Sequence, residues 1–277
     1  MIEVFQLEFM RNALLAGLLA SVVCGIIGTL VVVNRIVFIS GGIAHAAYGG
    51  IGLAFYFRFP PLAGAAVFSL AISAIMAAVT LKNKQRADTV IGVLWAIGMA
   101  LGIMLIDLSP GYSGDLMSYL FGSILAVPGI DLVMMGVIDL AVIVTVASLY
   151  NGFLAMSFDE EFAAAMGVRV RVLYYVLLAM IALSVVMLIR VVGLILVIAL
   201  LTIPPFIAER YCGSLKSMMV FSVVLSSLCT IIGLWLSYEF DLTSGATIIM
   251  VAAAFFFISF VVEYAKAFVL NGQGRRR

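Results

Sequence analysis

The chain has 277 residues, of which 65% are hydrophobic and only 10% are charged. Its mean hydropathy of +1.28 excludes a water-soluble globule, which needs more polar surface than this chain can supply. The net charge of +1 comes from basic residues scattered between apolar stretches, and this pattern excludes a nucleic-acid-binding patch. We therefore predict an all-α protein that crosses a membrane several times and contacts lipid.

Apolar stretches, separated by charged residues and by Pro-Gly pairs, predict nine transmembrane helices, because about 20 apolar residues of helix cross a bilayer. The predicted spans are 12–33, 41–57, 62–80, 90–107, 130–149, 173–189, 191–209, 217–237 and 243–264. A further apolar segment, residues 116–127, would rise only about 18 Å as a helix, which is too short to cross. We interpret it as a re-entrant or surface-lying helix within a single domain of residues 1–277.

The positions of the basic residues predict the orientation of the spans. With an external N-terminus and nine crossings, 12 of the 15 Lys and Arg residues lie on the cytoplasmic side. A tenth crossing at residues 116–127 would leave only five there. Cytoplasmic loops are rich in Lys and Arg, so nine crossings with a cytoplasmic C-terminus are favoured. The first eleven residues lack the basic start and apolar core of a cleaved signal, so the first span is expected to be retained.

The longest predicted cytoplasmic connection, residues 150–171, contains a candidate amphipathic helix over residues 159–167. Ser157 is a candidate N-cap, acidic residues occupy the first turn where the helix dipole favours them, and Gly167 suits the C-terminal end. From the residues alone, this helix is either a solvated connector or a docking surface for a partner.

The single histidine, His45, lies in a predicted span between the pairs Gly41-Gly42 and Gly49-Gly50. Ionisable side chains within membrane helices usually mark a pathway, a ligand or a paired contact, and imidazole is a frequent ligand of transition metals. The alternative is a neutral histidine that bonds to a backbone carbonyl at a helix interface. The three cysteines show no ligand spacing and are interpreted as packing residues.

Two other spans contain polar or helix-bending residues. Asp139, near the middle of the fifth span, must face protein or water, where it either assists cation passage or bonds to another helix. In the seventh span, Pro204 and Pro205 remove backbone hydrogen bonds and Thr202 can partly replace them. The resulting bend would suit a gate, although bent spans also occur in static bundles.

The motifs that are absent from the sequence limit what the chain can catalyse. It contains no GxxxxGK[ST] segment, and it therefore has no P-loop with which to bind ATP. One histidine also cannot supply the paired axial imidazoles of a membrane cytochrome. We expect no enzymatic activity and no covalently bound cofactor in the chain itself.

Five segments, in the same order along the chain, resemble the membrane subunit of the manganese/zinc/iron ABC importers. They are residues 40–46, 119–125, 157–163 with 166–167, 192–197 with 202–204, and 241–246. The resemblance implies a type II importer-like permease in the inner membrane that forms a homodimer and docks two ATP-binding subunits, which carry the ATP. It also implies that an extracytoplasmic binding protein delivers a divalent metal ion, either zinc, manganese or iron.

The resemblance also implies roles for individual residues. The coupling helix would comprise Phe158, Asp159, Glu160, Glu161, Phe162, Met166 and Gly167. His45 would contact the metal, on a path whose further candidates are Ser40, Tyr48 and Asp139, and the hinge would comprise Thr202, Pro204 and Pro205.

The chain departs from the family pattern at the metal motif. Many members carry an Asp four residues before the His and a Ser directly before it, whereas this chain has Gly41 and Ala44. Ser40, Tyr48, Asp139 and Glu209 are candidates for a compensating group. Imidazole suits zinc, and the loss of an oxygen ligand argues against manganese.

Two other functions remain open from the residues themselves. One is an ATP-independent secondary cation transporter or channel that uses Asp139. The other is a structural subunit of a membrane enzyme complex, in which His45 only packs.

Overall fold

The computed structural model describes residues 8–82, 87–109, 122 and 124–274, and these residues form helices and no strands. The helices are α1 (Glu8–Val33), α2 (Val37–Phe57), α3 (Pro61–Lys82), α4 (Ala87–Asp107), α5 (Gly129–Ser148), α6 (Tyr150–Phe158), α7 (Glu160–Ala165), α8 (Val170–Val192), α9 (Leu194–Tyr211), α10 (Leu215–Glu239) and α11 (Ser244–Gly274).

In the described part of the chain, nine helices are long and apolar enough to cross a membrane, and they confirm the nine predicted spans. Most of them extend a few residues beyond the apolar stretch, because a helix continues into residues of the membrane interface. Of the predicted re-entrant segment, residues 116–121 and 123 lie outside the described residues. Its remaining part includes a single 3₁₀ turn, Ile124–Ala126.

Helix α8 is the centre of the bundle. It packs against α2 and α3 on one side and against α1, α5 and α9 on the other. The helices α2, α3 and α4 form one group around it, and α1, α9, α10 and α11 form a second. The structure therefore consists of two helix groups that are joined through one buried helix.

The connections between helices define two ends of the bundle. The α7 end contains α6, α7, the α1–α2 and α9–α10 turns, the end of α3 and the start of α4. The opposite end contains the α2–α3 and α10–α11 turns and the junction of α8 and α9 at Gly193. At this opposite end, Arg190 Nε lies 3.2 Å from Asp131 Oδ2, so that an ion pair joins α8 to α5.

The predicted amphipathic helix over residues 159–167 corresponds to the shorter α7, and Asp159, which has an extended backbone, separates α7 from α6. Asp159 is the N-cap of α7, and its carboxylate accepts a hydrogen bond from Phe162 N at 2.9 Å. The prediction of Ser157 as the cap is therefore wrong. Gly167 has φ +83° and its N–H donates to Ala164 O just beyond the end of α7, as predicted from its residue type.

Candidate functional site: a cavity beside His45 and an exposed surface at the α7 end

A large cavity of about 970 Å³ lies in the half of the bundle nearest the α7 end. It lies between α2 and α4 on one side and α9 and α11 on the other. Its walls are mostly apolar and aromatic, with a few polar side chains. The aromatic residues are Phe38, Trp95, Phe206 and Phe256, and the polar residues are Arg35, Asp88, Thr202 and Glu209.

Gly41 contributes open space to this large cavity. A Cβ atom added at Gly41 would meet no atom within 4 Å among the described residues. His45 follows one helical turn later on the same face of α2, because residues four apart on a helix lie above one another. A side chain at position 41 would therefore extend into the cavity next to the imidazole.

An aromatic contact orients the His45 ring. The ring stacks on Trp95 of α4, with a centroid distance of 4.0 Å and an interplanar angle of 14°. His45 Nδ1 is buried and makes no hydrogen bond within the described part of the chain. Trp95 itself lines the large cavity, so the imidazole is held beside a residue of the cavity wall, and its Nδ1 makes no hydrogen bond to a described residue.

The other candidates for the metal path are placed differently. Ser40 is buried, and its hydroxyl donates to Val37 O in the preceding turn at 2.8 Å. Tyr48 is buried on α2, where its backbone meets Gly102 of α4. Asp139 is buried on α5, which packs chiefly against α1 and α8. The structure thus brings Gly41 and Glu209 to the large cavity and places Asp139 elsewhere.

The proline segment of α9 forms part of the cavity wall. Pro204 and Pro205 lie inside the helix, and Thr202 lines the cavity while its hydroxyl donates to Ile198 O at 2.8 Å. Proline has no N–H, so the helix loses two backbone hydrogen bonds at this point. Helix α1 covers the same turn closely, because a Cβ atom at Gly28 would lie 2.5 Å from Leu201 O.

The large cavity does not contain a closed metal site. Among the residues that the structure describes, no three His, Cys, Asp or Glu side chains are grouped closely enough to hold a metal ion. Within the described residues of one chain, His45 therefore does not have two further His, Cys, Asp or Glu side chains close enough to share a metal ion with it.

Three large apolar side chains are exposed around α7 at intervals of four residues. Phe158, Phe162 and Met166 are 84%, 64% and 70% exposed, and Glu161 is exposed beside them. We call these four residues the α7 surface. Ala163 is buried, and Glu160 is only partly exposed. Exposed apolar side chains flanked by acidic ones are typical of a protein-binding surface.

Sequence reasoning did not find several residues of this region. Asp88 and Trp95 line the large cavity, and Asn34 bonds to Ser157 near the α7 surface. Asp88 and Trp95 carried a signal, because a carboxylate and an indole N–H near a membrane span both need a polar partner or water. The sequence gives no such indication for Asn34, because its partner Ser157 is 123 residues away.

In the described part of the chain, nine helices that are long and apolar enough to cross a membrane, with the large cavity and the α7 surface at the same end, are features of a membrane permease. Residues 6–263 match the profile of the ABC 3 transport family, and the chain belongs to this family.

Two relatives illustrate the range of similarity. The chain is 53% identical over 259 residues to a Synechocystis sp. protein named uncharacterized membrane protein slr2045, with 94% of this chain and 92% of that protein covered. It is 35% identical over 256 residues to the manganese transport system membrane protein MntC of Listeria monocytogenes, with 92% and 91% covered.

Two solved structures share the fold. PsaBC from Streptococcus pneumoniae, solved in complex with Fab, has a TM-score of 0.83 and 33% identity, with 94% of both chains covered. An inward-facing conformation of a putative metal-chelate type ABC transporter has a TM-score of 0.70 at 19% identity, with 91% and 85% covered. The chain therefore has the fold of ABC transporter permeases, which confirms the predicted type II importer-like architecture.

Proposed function

We propose that this chain is the membrane subunit of an ATP-driven importer of divalent transition-metal ions. The observation that carries the proposal is the α7 surface, which exposes Phe158, Phe162 and Met166 at the end of the bundle where the large cavity lies. A solvated connector would not need three large apolar side chains in water. The residues instead suit insertion into a cleft of a second protein.

The partner that fits this surface is an ATP-binding subunit, with ATP bound on that subunit. The chain itself has no P-loop sequence, so energy for transport would come from outside it. In this proposal, two copies of the chain form a homodimer, each as one domain of residues 1–277, and each docks one ATP-binding subunit. The weakly buried helices α4, α5 and α11 offer faces for lipid and for the second copy.

The transported ion would be manganese or zinc. Relatives named as manganese transport proteins support manganese, whereas a cavity wall with an imidazole and no neighbouring carboxylate at position 41 suits zinc. His45 would contact the ion transiently at the wall of the large cavity. The ion would arrive from an extracytoplasmic binding protein, with the N-terminus outside and the α7 end in the cytoplasm.

The docking proposal is tested by Phe162→Glu in the importer purified from native membranes through a tag on this chain. Loss of an aromatic anchor that docking would bury should reduce the co-purifying ATP hydrolysis activity by about tenfold or more. Phe240→Glu is a matched control, because Phe240 is also 64% exposed but lies at the opposite end. Equal ATPase activity in the Phe162 variant and the wild-type protein would contradict docking through the α7 surface.

The direction and cargo need a separate measurement. Right-side-out proteoliposomes that contain the complete importer should accumulate manganese or zinc only when ATP is enclosed and the binding protein is added outside. Uptake by the purified chain alone, driven by an ion gradient, would instead support the secondary-transporter alternative.

A further inference from the structure

A hydrogen bond connects Ser157, which adjoins the α7 surface, to the turn between α1 and α2. Asn34 Nδ2 donates to Ser157 Oγ at 2.9 Å, across 123 residues of sequence, and also to Leu30 O at 2.8 Å. Ser157 directly precedes Phe158 of the α7 surface. A partner that displaces the α7 surface would therefore also act on Asn34.

The α1–α2 turn is closed by its own backbone. Ile36 N donates to Val31 O and Arg35 N to Val32 O, both at 2.9 Å, which is the Schellman pattern of a helix C-terminus. Arg35 occupies the left-handed position of this pattern with φ +58°, although it is not a glycine. Because the turn is fixed internally, displacement of Asn34 would move it together with the start of α2.

The moving turn would change the wall of the large cavity. A small polar cavity of about 300 Å³ lies between Glu160 of α7 and the ends of α1, α2, α3 and α4. Arg35, Phe38 and Asp88 line both this small polar cavity and the large cavity. These three side chains thus form the partition between α7 and the large cavity.

We propose that the α1–α2 turn transmits movement of the α7 surface to the mouth of the large cavity, with Asn34 and Ser157 as positioning residues. This inference rests on the proposed docking of an ATP-binding subunit. Movement of α7 pulls Ser157, the hydrogen bond moves Asn34, and the rigid turn shifts Arg35 and Phe38 relative to Asp88 on α4. The partition then opens or narrows the cavity mouth in step with ATP hydrolysis.

The test uses Asn34→Ala, Ser157→Ala and the double variant in the complete importer, reconstituted with its binding protein in proteoliposomes. Each single variant should keep the ATP-binding subunit and its ATP hydrolysis, but metal uptake per ATP should fall by about fivefold to tenfold, as expected for one lost hydrogen bond. The double variant should be no worse than either single variant, because both changes remove the same contact.

Two further variants separate transmission from a general structural effect. Ser157→Thr keeps the acceptor hydroxyl and should retain uptake per ATP close to that of the wild-type protein. Ser148→Ala removes a serine whose hydroxyl donates only to Thr145 O within α5, and it should have no effect.

The outcomes distinguish this inference from the docking proposal. Normal uptake per ATP in Asn34→Ala would overturn the transmission role even if Phe162→Glu abolishes docking. Loss of the ATP-binding subunit from the Asn34→Ala importer would also overturn it, because the bond would then only hold the α7 surface in place.

Discussion

The two halves of α2 use glycine in opposite ways. Towards the end of the bundle that is opposite α7, Cβ atoms added at Gly50 and Gly52 would collide with the backbones of Gly64 on α3 and Gly102 on α4. Towards the α7 end, a Cβ atom at Gly41 would meet open space in the large cavity. Gly50 and Gly52 therefore allow close backbone contact in one half of α2, whereas in the other half Gly41 borders the cavity while its neighbour Gly42 packs against Ile91 of α4.

This difference has a mechanistic meaning for the proposed importer. Close contact of α2 with α3 and α4 seals the half that the proposed orientation places outside. In the half of α2 near the α7 surface, the face that carries Gly41 borders the large cavity. The chain would then be in a state that faces the cytoplasm, and transport would require the α2–α4 contact to open on the other side.

The largest expected effect comes from adding a bulky side chain at two of these glycine positions, one with no space for it and one beside the cavity. Gly52→Leu should lower the free energy of unfolding by about 3 kcal/mol or more, because the added side chain has to displace the α4 backbone. Gly41→Leu should fold normally but extend into the cavity one helical turn from His45 and strongly reduce metal uptake. Thermal unfolding in detergent and uptake in proteoliposomes measure the two effects.

The comparison between the two halves would fail if both leucine variants were equally destabilised. That result would mean that the cavity beside Gly41 is filled in the assembled protein. Equal tolerance of both variants would mean that the α2–α4 contact is looser than the structure shows.

The next effect concerns His45 at the boundary between the two halves. His45→Ala should reduce metal uptake by about tenfold or more at unchanged protein yield, because it removes the imidazole that we propose contacts the ion. Trp95→Phe keeps an aromatic ring against the imidazole and should have a smaller effect. Metal-dependent uptake in proteoliposomes with the complete importer is the measurement, and unchanged flux in His45→Ala would remove its assigned role.

A smaller gain is expected from adding a carboxylate to the open half. Gly41→Asp would place an oxygen ligand one turn from His45 and should tighten manganese binding by about tenfold, because carboxylate oxygens suit manganese. Manganese-stimulated ATP hydrolysis at increasing metal concentration measures this effect. Gly41→Asn has the same shape without the charge and should show little change. If the Asp and Asn variants were half-maximally stimulated at similar manganese concentrations, a ligand at position 41 would not reach the ion path.

The contrast also shows which parts of the structure the sequence predicts. The nine spans were predictable, because the length of an apolar stretch determines whether a helix can cross the bilayer. The roles of Gly41 and Gly52 were not, because the partner of each glycine lies on another helix. Ser157 was misassigned as a cap because it lies in the last turn of α6, and Asp159 caps α7 instead.

The candidate site was predicted in part. Position 41 and His45 follow from local spacing on one helix face, whereas the neighbours of Asp139 depend on where α5 packs. A buried carboxylate in a membrane span indicates a polar role without identifying the helix that it faces. The predicted path therefore included a residue that the structure places away from the large cavity.

The smallest expected effect is that of Asp139→Asn. Helix α5 packs chiefly against α1 and α8, and Asp139 is buried there at a distance from the Gly41 half of α2 that defines the large cavity. An amide of the same shape should therefore leave ATP-driven metal uptake within about twofold of the wild-type value, since Asp139 is not among the residues that line the large cavity. Uptake in proteoliposomes with the complete importer measures this effect. Loss of uptake in this variant would contradict the expectation and would indicate an ion path along α5. A secondary transporter that used this carboxylate would in addition lose gradient-driven uptake by the purified chain alone.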